Sequence, residues 1–98
     1  MSFTQTITVE ADSAQPLADL LERWHRDEAG VAPGYRGARL LEDQDDRGRY
    51  VVEVDFTSRE EAERNSARPE TASWAEQLKE VANGEPTYDN YEVAFTTN

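Results

Sequence analysis

The sequence contains no cysteine, which excludes disulfide staples, thiolate nucleophiles and Cys-ligated zinc or iron–sulfur clusters. Its one histidine, His25, cannot build a structural zinc site, and no His-x-x-x-His spacing occurs. Cationic residues are few: 10 Lys and Arg stand against 21 Asp and Glu, a net charge of −11. Such a chain repels duplex nucleic acid and anionic membranes, so neither is an expected partner. No apolar run approaches the roughly 18 residues of a membrane span. The first twenty residues lack the basic start and apolar stretch of a secretory leader. Phosphate-cradling GxGxxG and GxxxxGK[ST] loops and a GxSxG elbow are missing as well. What remains is a small acidic domain, soluble and expected in the cytoplasm, its 98 residues forming a single unit over 1–98.

The chain does carry clear periodicity. Residues 3–10 (FTQTITVE) alternate, with Phe3, Gln5, Ile7 and Val9 on one face, the signature of a half-buried strand. After ADSAQP, in which Asp12 or Ser13 suits an N-cap and Pro16 a first helical turn, Leu17, Leu20, Leu21 and Trp24 mark a helix stripe. AGVAPG closes that helix. Residues 35–43 and 49–57 read as an antiparallel hairpin around QDDRG, with Tyr50, Val52, Val54 and Phe56 sharing a face. Asp43, Asp45 and Asp46 lack the spacing and closing Glu of a calcium loop, and belong to the turn.

Ser58 and Glu61 match a capping box, and Glu60–Arg64 has the spacing of an i,i+4 pair. Pro69 should break or kink this helix. Trp74, Leu78 and Val81 then continue at helical spacing, and residues 87–96 alternate with Tyr91, Val93 and Phe95 in phase. Strand, helix, strand, strand, helix, strand is the βαββαβ, ferredoxin-like α+β plan, with both helices on one side of a four-stranded antiparallel sheet. The other face would carry Thr4, Thr6, Thr8, Val51, Glu53, Asp55, Asn90, Glu92 and Ala94. It can face water or stack on a second copy across a two-fold axis. Dry burial of its carboxylates would be costly unless partners such as Arg36 or Arg39 neutralise them.

Four stretches, PGYRGARLLED, GRYVVEVDFTSREEAE, RPETASWAEQL and PTYDNYEVAFT, resemble the antibiotic biosynthesis monooxygenase-like group of dimeric α/β-barrel proteins. The resemblance implies a homodimer paired through the sheet faces, with a small pocket between sheet and helices in each protomer. It also implies a cofactor-independent oxygenase acting on a small aromatic or polyketide-type substrate. A non-catalytic small-ligand binder or accessory protein of the same fold is the alternative. Relatives often read SPEH..W at the kink of the second helix. Here Pro69, Glu70 and Trp74 match while the histidine position holds Thr71, which argues against the haem ligation of the haem-degrading branch. No cofactor is expected.

Candidate site residues follow from chemistry type. Trp24 and Trp74 either pack the core or line an apolar aromatic pocket, and Tyr35, Tyr50, Tyr88 and Tyr91 admit the same two readings, with Thr71 beside them. Tyr50 and Tyr91 alternate with the core face, so their hydroxyls need partners or a cavity. Arg39 is in phase with Tyr35 and Leu41: it either points into the pocket, holding an anionic substrate oxygen, or pairs with Glu53 or Asp55 across the sheet. His25, beside Trp24, is either solvated or a general base at the pocket edge. Arg39, Tyr50 and His25 are therefore the candidate catalytic residues.

Overall fold

In the computed structural model, which describes residues 2–97, the elements are β1 (Phe3–Glu10), α1 (Gln15–Glu28), β2 (Tyr35–Glu42), β3 (Arg49–Phe56), α2 (Arg59–Ser66), α3 (Pro69–Val81) and β4 (Thr87–Glu92). The strands form one sheet in the order β2-β3-β1-β4, every neighbouring pair antiparallel. This is the ferredoxin-like α+β plan that the alternating sequence pattern predicts.

The pleat divides the sheet into two unlike faces. Phe3, Ile7 and Val9 of β1 and Tyr50, Val52, Val54 and Phe56 of β3 are buried, and they form one core with Leu17 and Leu20 of α1, Ala62 of α2 and Leu78 of α3. Leu17, Leu78 and Val52 are almost completely enclosed, so the helix stripes and strand faces meet as their periods require. The helical layer between β3 and β4 is two helices. Pro69 begins α3 rather than kinking a continuous helix, because proline tolerates a first turn but not a helix interior. Ser58 caps α2 by accepting from the Glu61 backbone N–H at 3.2 Å.

Several local expectations are corrected. Ala14, not Asp12 or Ser13, is the N-cap of α1 and makes no side-chain cap bond. Asp12 instead accepts from the Asn83 side chain. Arg64 pairs with Glu61 and Arg59 with Glu63, so the expected Glu60–Arg64 pair does not form. Asp43 accepts from the Asp45 and Asp46 backbone N–H groups and from Arg49. Those bonds, led by the Asp45 N–H, hold its carboxyl below the ordinary range, which confirms its role in the turn.

Two phase corrections matter for function. Between Tyr35 and Gly37 the β2–β3 register slips by one residue, and such a bulge moves the following side chains to the other face. Tyr35 therefore sits opposite Phe56 on the helix side, while Arg39 sits opposite Glu53 on the outer face. In β4, Tyr88 lies opposite Ile7 and Asn90 opposite Gln5, whereas Tyr91 lies opposite Thr4. Tyr88, Asn90 and Glu92 thus face the helices, and Tyr91 faces outward, the reverse of the expected phase. Two tyrosines three residues apart cannot share a strand face, and β1 pairing selects Tyr88 for the inner one.

Candidate active site

A cavity of about 230 Å³ lies between the sheet and the helices. Its floor is Gln5 and Ile7 of β1 with Val54 and Phe56 of β3; α1 adds Leu21 and Trp24. The far wall is Asn65 and Ser66 of α2 and Thr71, Ala72, Trp74 and Ala75 of α3, with half-exposed Tyr88 at the rim. The elements bring apolar carbon and aromatic faces together and leave only a few polar groups among them, as small-molecule sites do.

The aromatic side of the site is rigidly set. Trp24 meets Trp74 edge-on, ring centroids 6.1 Å apart and planes at 62°, a favoured aromatic geometry. The Trp74 indole N–H donates to the Leu20 carbonyl at 3.2 Å, tying α3 to α1 across the cavity. On its other side Trp24 meets Tyr35 at 6.3 Å, and Tyr35 meets Phe56 at 6.4 Å.

The polar side centres on Asn65, which is buried at 5% exposure. Its Oδ1 accepts from the Thr71 hydroxyl at 3.2 Å and from the Arg68 guanidinium at 3.2 Å. Its Nδ2 donates to no protein group among the described residues and is not sealed from solvent. Gln5 spans toward β4, donating to the Asn90 carbonyl oxygen at 3.2 Å. Burial raises the Tyr88 phenol above its ordinary pKa, and Glu85 adds to the shift. Tyr88 is thus a neutral hydroxyl at neutral pH, and among the described residues it is the only titratable one on the cavity wall.

Of the expected site residues, the cavity gathers Trp24, Trp74 and Thr71. Tyr50 points to the helix side as expected but is 4% exposed and packed in the core, away from the cavity wall. Tyr91 faces outward and Tyr88 takes its place at the rim. Of its two readings, Arg39 takes the ion pair with Glu53 and not the place in the pocket. Its Nε donates to Glu53 at 2.9 Å on the outer face, a pairing that raises its pKa through that hydrogen bond first, so it cannot hold an anion in the cavity.

His25 lies outside the cavity, with Nδ1 and the Tyr35 hydroxyl 2.8 Å apart. Burial raises the Tyr35 pKa. The two sit in a second, more open groove between α1 and β2 that includes Ala38 and Leu40.

Sequence reasoning missed Asn65 and Gln5 as site residues, and named Tyr88 only as one of four tyrosines that could pack the core or line a pocket. Asn65 sits in a run of charged helix residues, and only its position one turn before Pro69, where the chain turns inward, marks it out. No group of three or more His, Asp or Glu suited to a metal occurs among the described residues, and none of their helices is long and apolar enough to cross a membrane.

Solved structures share this fold. A monooxygenase of Streptomyces coelicolor from the gene ActVA-Orf6, in complex with nanaomycin D, superposes with a TM-score of 0.79 at 18% identity, covering 99% of this chain and 91% of that one. Rv0793 of Mycobacterium tuberculosis gives 0.77 at 16% identity, with both chains covered in full. SnoaB of Streptomyces nogalater, a cofactor-independent oxygenase, gives 0.73 at 20% identity over 97% of this chain and 93% of its own. At such identities the likeness establishes the fold alone. No curated protein matches the sequence. The family model described as antibiotic biosynthesis monooxygenase matches residues 3–77, from the first strand through the Asn65 and Trp74 wall, and the chain therefore belongs to that family.

Proposed function

We propose that this protein is a cofactor-independent monooxygenase-like enzyme acting on a small aromatic or polyketide-type substrate in the cavity between sheet and helices. The observation that carries the reading is the Trp24–Trp74 wall together with the buried Asn65 amide on the lining of one cavity, its oxygen engaged by Arg68 and Thr71 and its nitrogen without a protein partner among the described residues. The volume is below the roughly 300–1,000 Å³ of drug-sized sites, which suits a few fused rings. Related folds include the oxygenase of Streptomyces nogalater and the nanaomycin D-bound monooxygenase of Streptomyces coelicolor, which supports an aromatic occupant.

In this reading the substrate is an acidic carbon acid such as an anthrone. Loss of a proton to solvent water at the open side of the cavity gives an electron-rich anion, and Asn65 Nδ2 and the Tyr88 hydroxyl stabilise its oxygen. The substrate itself is the reductant. Its methylene carbon is oxidised to a carbonyl, one atom of dioxygen becomes the carbonyl oxygen and the other leaves as water. The test is oxygen uptake with an anthrone-type substrate. Uptake above the buffer rate, lowered at least about tenfold in Asn65→Leu, supports the reading; uptake equal to buffer overturns it. The lack of a carboxylate, histidine or lysine base on the cavity wall among the described residues favours, as the second reading, a binder without turnover. That reading predicts saturable quenching of the tryptophan fluorescence by the same compound with no uptake.

We propose further that two copies pair through the outer sheet face. Two of its carboxylates are already partnered, Glu53 by Arg39 at 2.9 Å and Asp55 by the Thr4 hydroxyl at 2.8 Å, which lowers the cost of covering those two. Exposed Leu41 and Tyr91 add apolar surface. Light scattering at micromolar concentration should give twice the 11.1 kDa protomer mass; the protomer mass alone would refute the pairing.

A further inference from the structure

We infer that Arg68, anchored by Glu28, is a positioning residue that aims the Asn65 amide nitrogen into the cavity and so makes the site select ligands with a hydrogen-bond-accepting oxygen. The inference rests on the proposed aromatic occupant for its ligand class, but the aim of the amide is independent of it.

The two ends of an asparagine amide are nearly the same shape and opposite in function, one an acceptor and one a donor. Which end faces the cavity must be fixed by what the other end meets. A guanidinium has donors and no acceptor, so the atom 3.2 Å from Arg68 Nη1 has to be the Asn65 oxygen. The Thr71 hydroxyl, also 3.2 Å from that oxygen, completes its pair of lone pairs. Rotation of the amide by a half-turn would set an NH₂ group against a cation in a partly buried place, which is strongly disfavoured.

Arg68 is in turn held. Its Nη2 lies 2.8 Å from Glu28 Oε1, the side chains being only 19% and 11% exposed, and Glu70 is more distant at 3.7 Å. Glu28 is a buried carboxylate at the end of α1. Its Oε1 is enclosed and makes an ionic contact with Arg68 without an aligned hydrogen bond. A buried carboxylate needs a cation, and the guanidinium fork offers that cation while leaving Nη1 for Asn65. Thus Glu28 fixes Arg68, Arg68 fixes the Asn65 oxygen, and Nδ2 is left for a ligand. The device spans α1, the α2–α3 junction and the cavity wall, and none of its charged members touches the ligand itself.

The test compares 9-fluorenone with fluorene, three-ring molecules alike in shape except for the carbonyl oxygen, by quenching of Trp24 and Trp74 fluorescence. The readout is the ratio of their dissociation constants. A neutral hydrogen bond separates them by up to about tenfold. Arg68→Lys keeps a cation beside Glu28 but loses the two-pronged reach, and Arg68→Lys with Thr71→Val removes both donors to the Asn65 oxygen. The expected result is a ratio shifted about fivefold toward fluorene in the double variant. Glu28→Gln should shift it the same way by a smaller factor.

A ratio unchanged in the double variant overturns the inference, and equal losses for both probes do so too, since they report a damaged cavity rather than a turned amide. Should neither probe bind the wild type, the aromatic-ligand reading falls, and NMR still decides the positioning role. In the wild type the Asn65 side-chain amide protons should show nuclear Overhauser contacts to cavity-lining side chains, lost in the double variant. Contacts that persist there would refute the role of Arg68.

Discussion

Replacing Trp24 by alanine is expected to lower the stability of the domain by about 3–5 kcal/mol and to abolish binding of aromatic ligands. Trp24 is buried to 9% exposure and stands between two other rings, Trp74 at 6.1 Å and Tyr35 at 6.3 Å. Truncation removes the largest apolar contact of α1, leaves a void continuous with the cavity, and releases the edge-on geometry that places Trp74. Neighbours held by backbone ties, such as the Trp74 N–H to the Leu20 carbonyl, have little freedom to collapse into the space. The stability of a domain is about 5–15 kcal/mol in total, so the variant should be close to its folding limit. Urea unfolding measures the loss, and Trp24→Phe separates the effects by keeping part of the volume and a ring edge. A loss below about 1 kcal/mol in Trp24→Ala would show that the aromatic stack is not a structural element.

Gly34→Ala should be the other severe change, at about 2–5 kcal/mol. Gly34 has φ +65°, a left-handed conformation that a side chain disfavours. A methyl group there would overlap the Glu61 Cβ and lie 2.7 Å from Thr57 Oγ1. The Gly34 carbonyl also accepts from the Thr57 N–H at 2.9 Å, so the segment cannot swing away without breaking the join between the entry to β2 and the end of β3. Gly30 is the natural control: its φ is +82° but a Cβ there meets nothing within 4 Å. Gly30→Ala should therefore cost only the backbone term, about 1–2 kcal/mol. Urea midpoints for the two variants that coincide would mean that the close approach of α2 to Gly34 contributes nothing.

The origins of these two effects differ in how far they could be read in advance. Trp24 lies on a stripe with Leu17, Leu20 and Leu21 whose spacing alone commits it to the inner face of a helix. Gly34 is one of two glycines in a connecting segment, and nothing local distinguishes it from Gly30. The difference between them is a neighbour, Glu61, twenty-seven residues away.

The same contrast runs through the site. The alternation of Tyr50, Val52, Val54 and Phe56 placed β3 correctly, since one buried face and a period of two admit a single solution. Arg39 and Tyr91 came out on the opposite face from the one a continuous alternation implies. In β2 one bulged residue reverses the phase, and a bulge leaves no hydrophobic mark. In β4 every residue is at least partly exposed, so hydrophobicity hardly constrains the choice between Tyr88 and Tyr91. Asn65 lay in a stretch that reads as solvated helix, and its burial comes from Pro69 starting a new helix that folds Thr71 and Trp74 against it.

Periodic burial is a property of neighbours in the chain, and so the βαββαβ order, the helix stripes, the inner face of the central strands and the acidic surface are all written locally. Cavities and polar pairings arise where distant segments meet at a register that neither specifies alone. The Asn65–Arg68–Glu28 arrangement, the outward turn of Arg39 and the choice of Tyr88 over Tyr91 belong to that second class, because each depends on how a strand slips or a helix docks by a single residue.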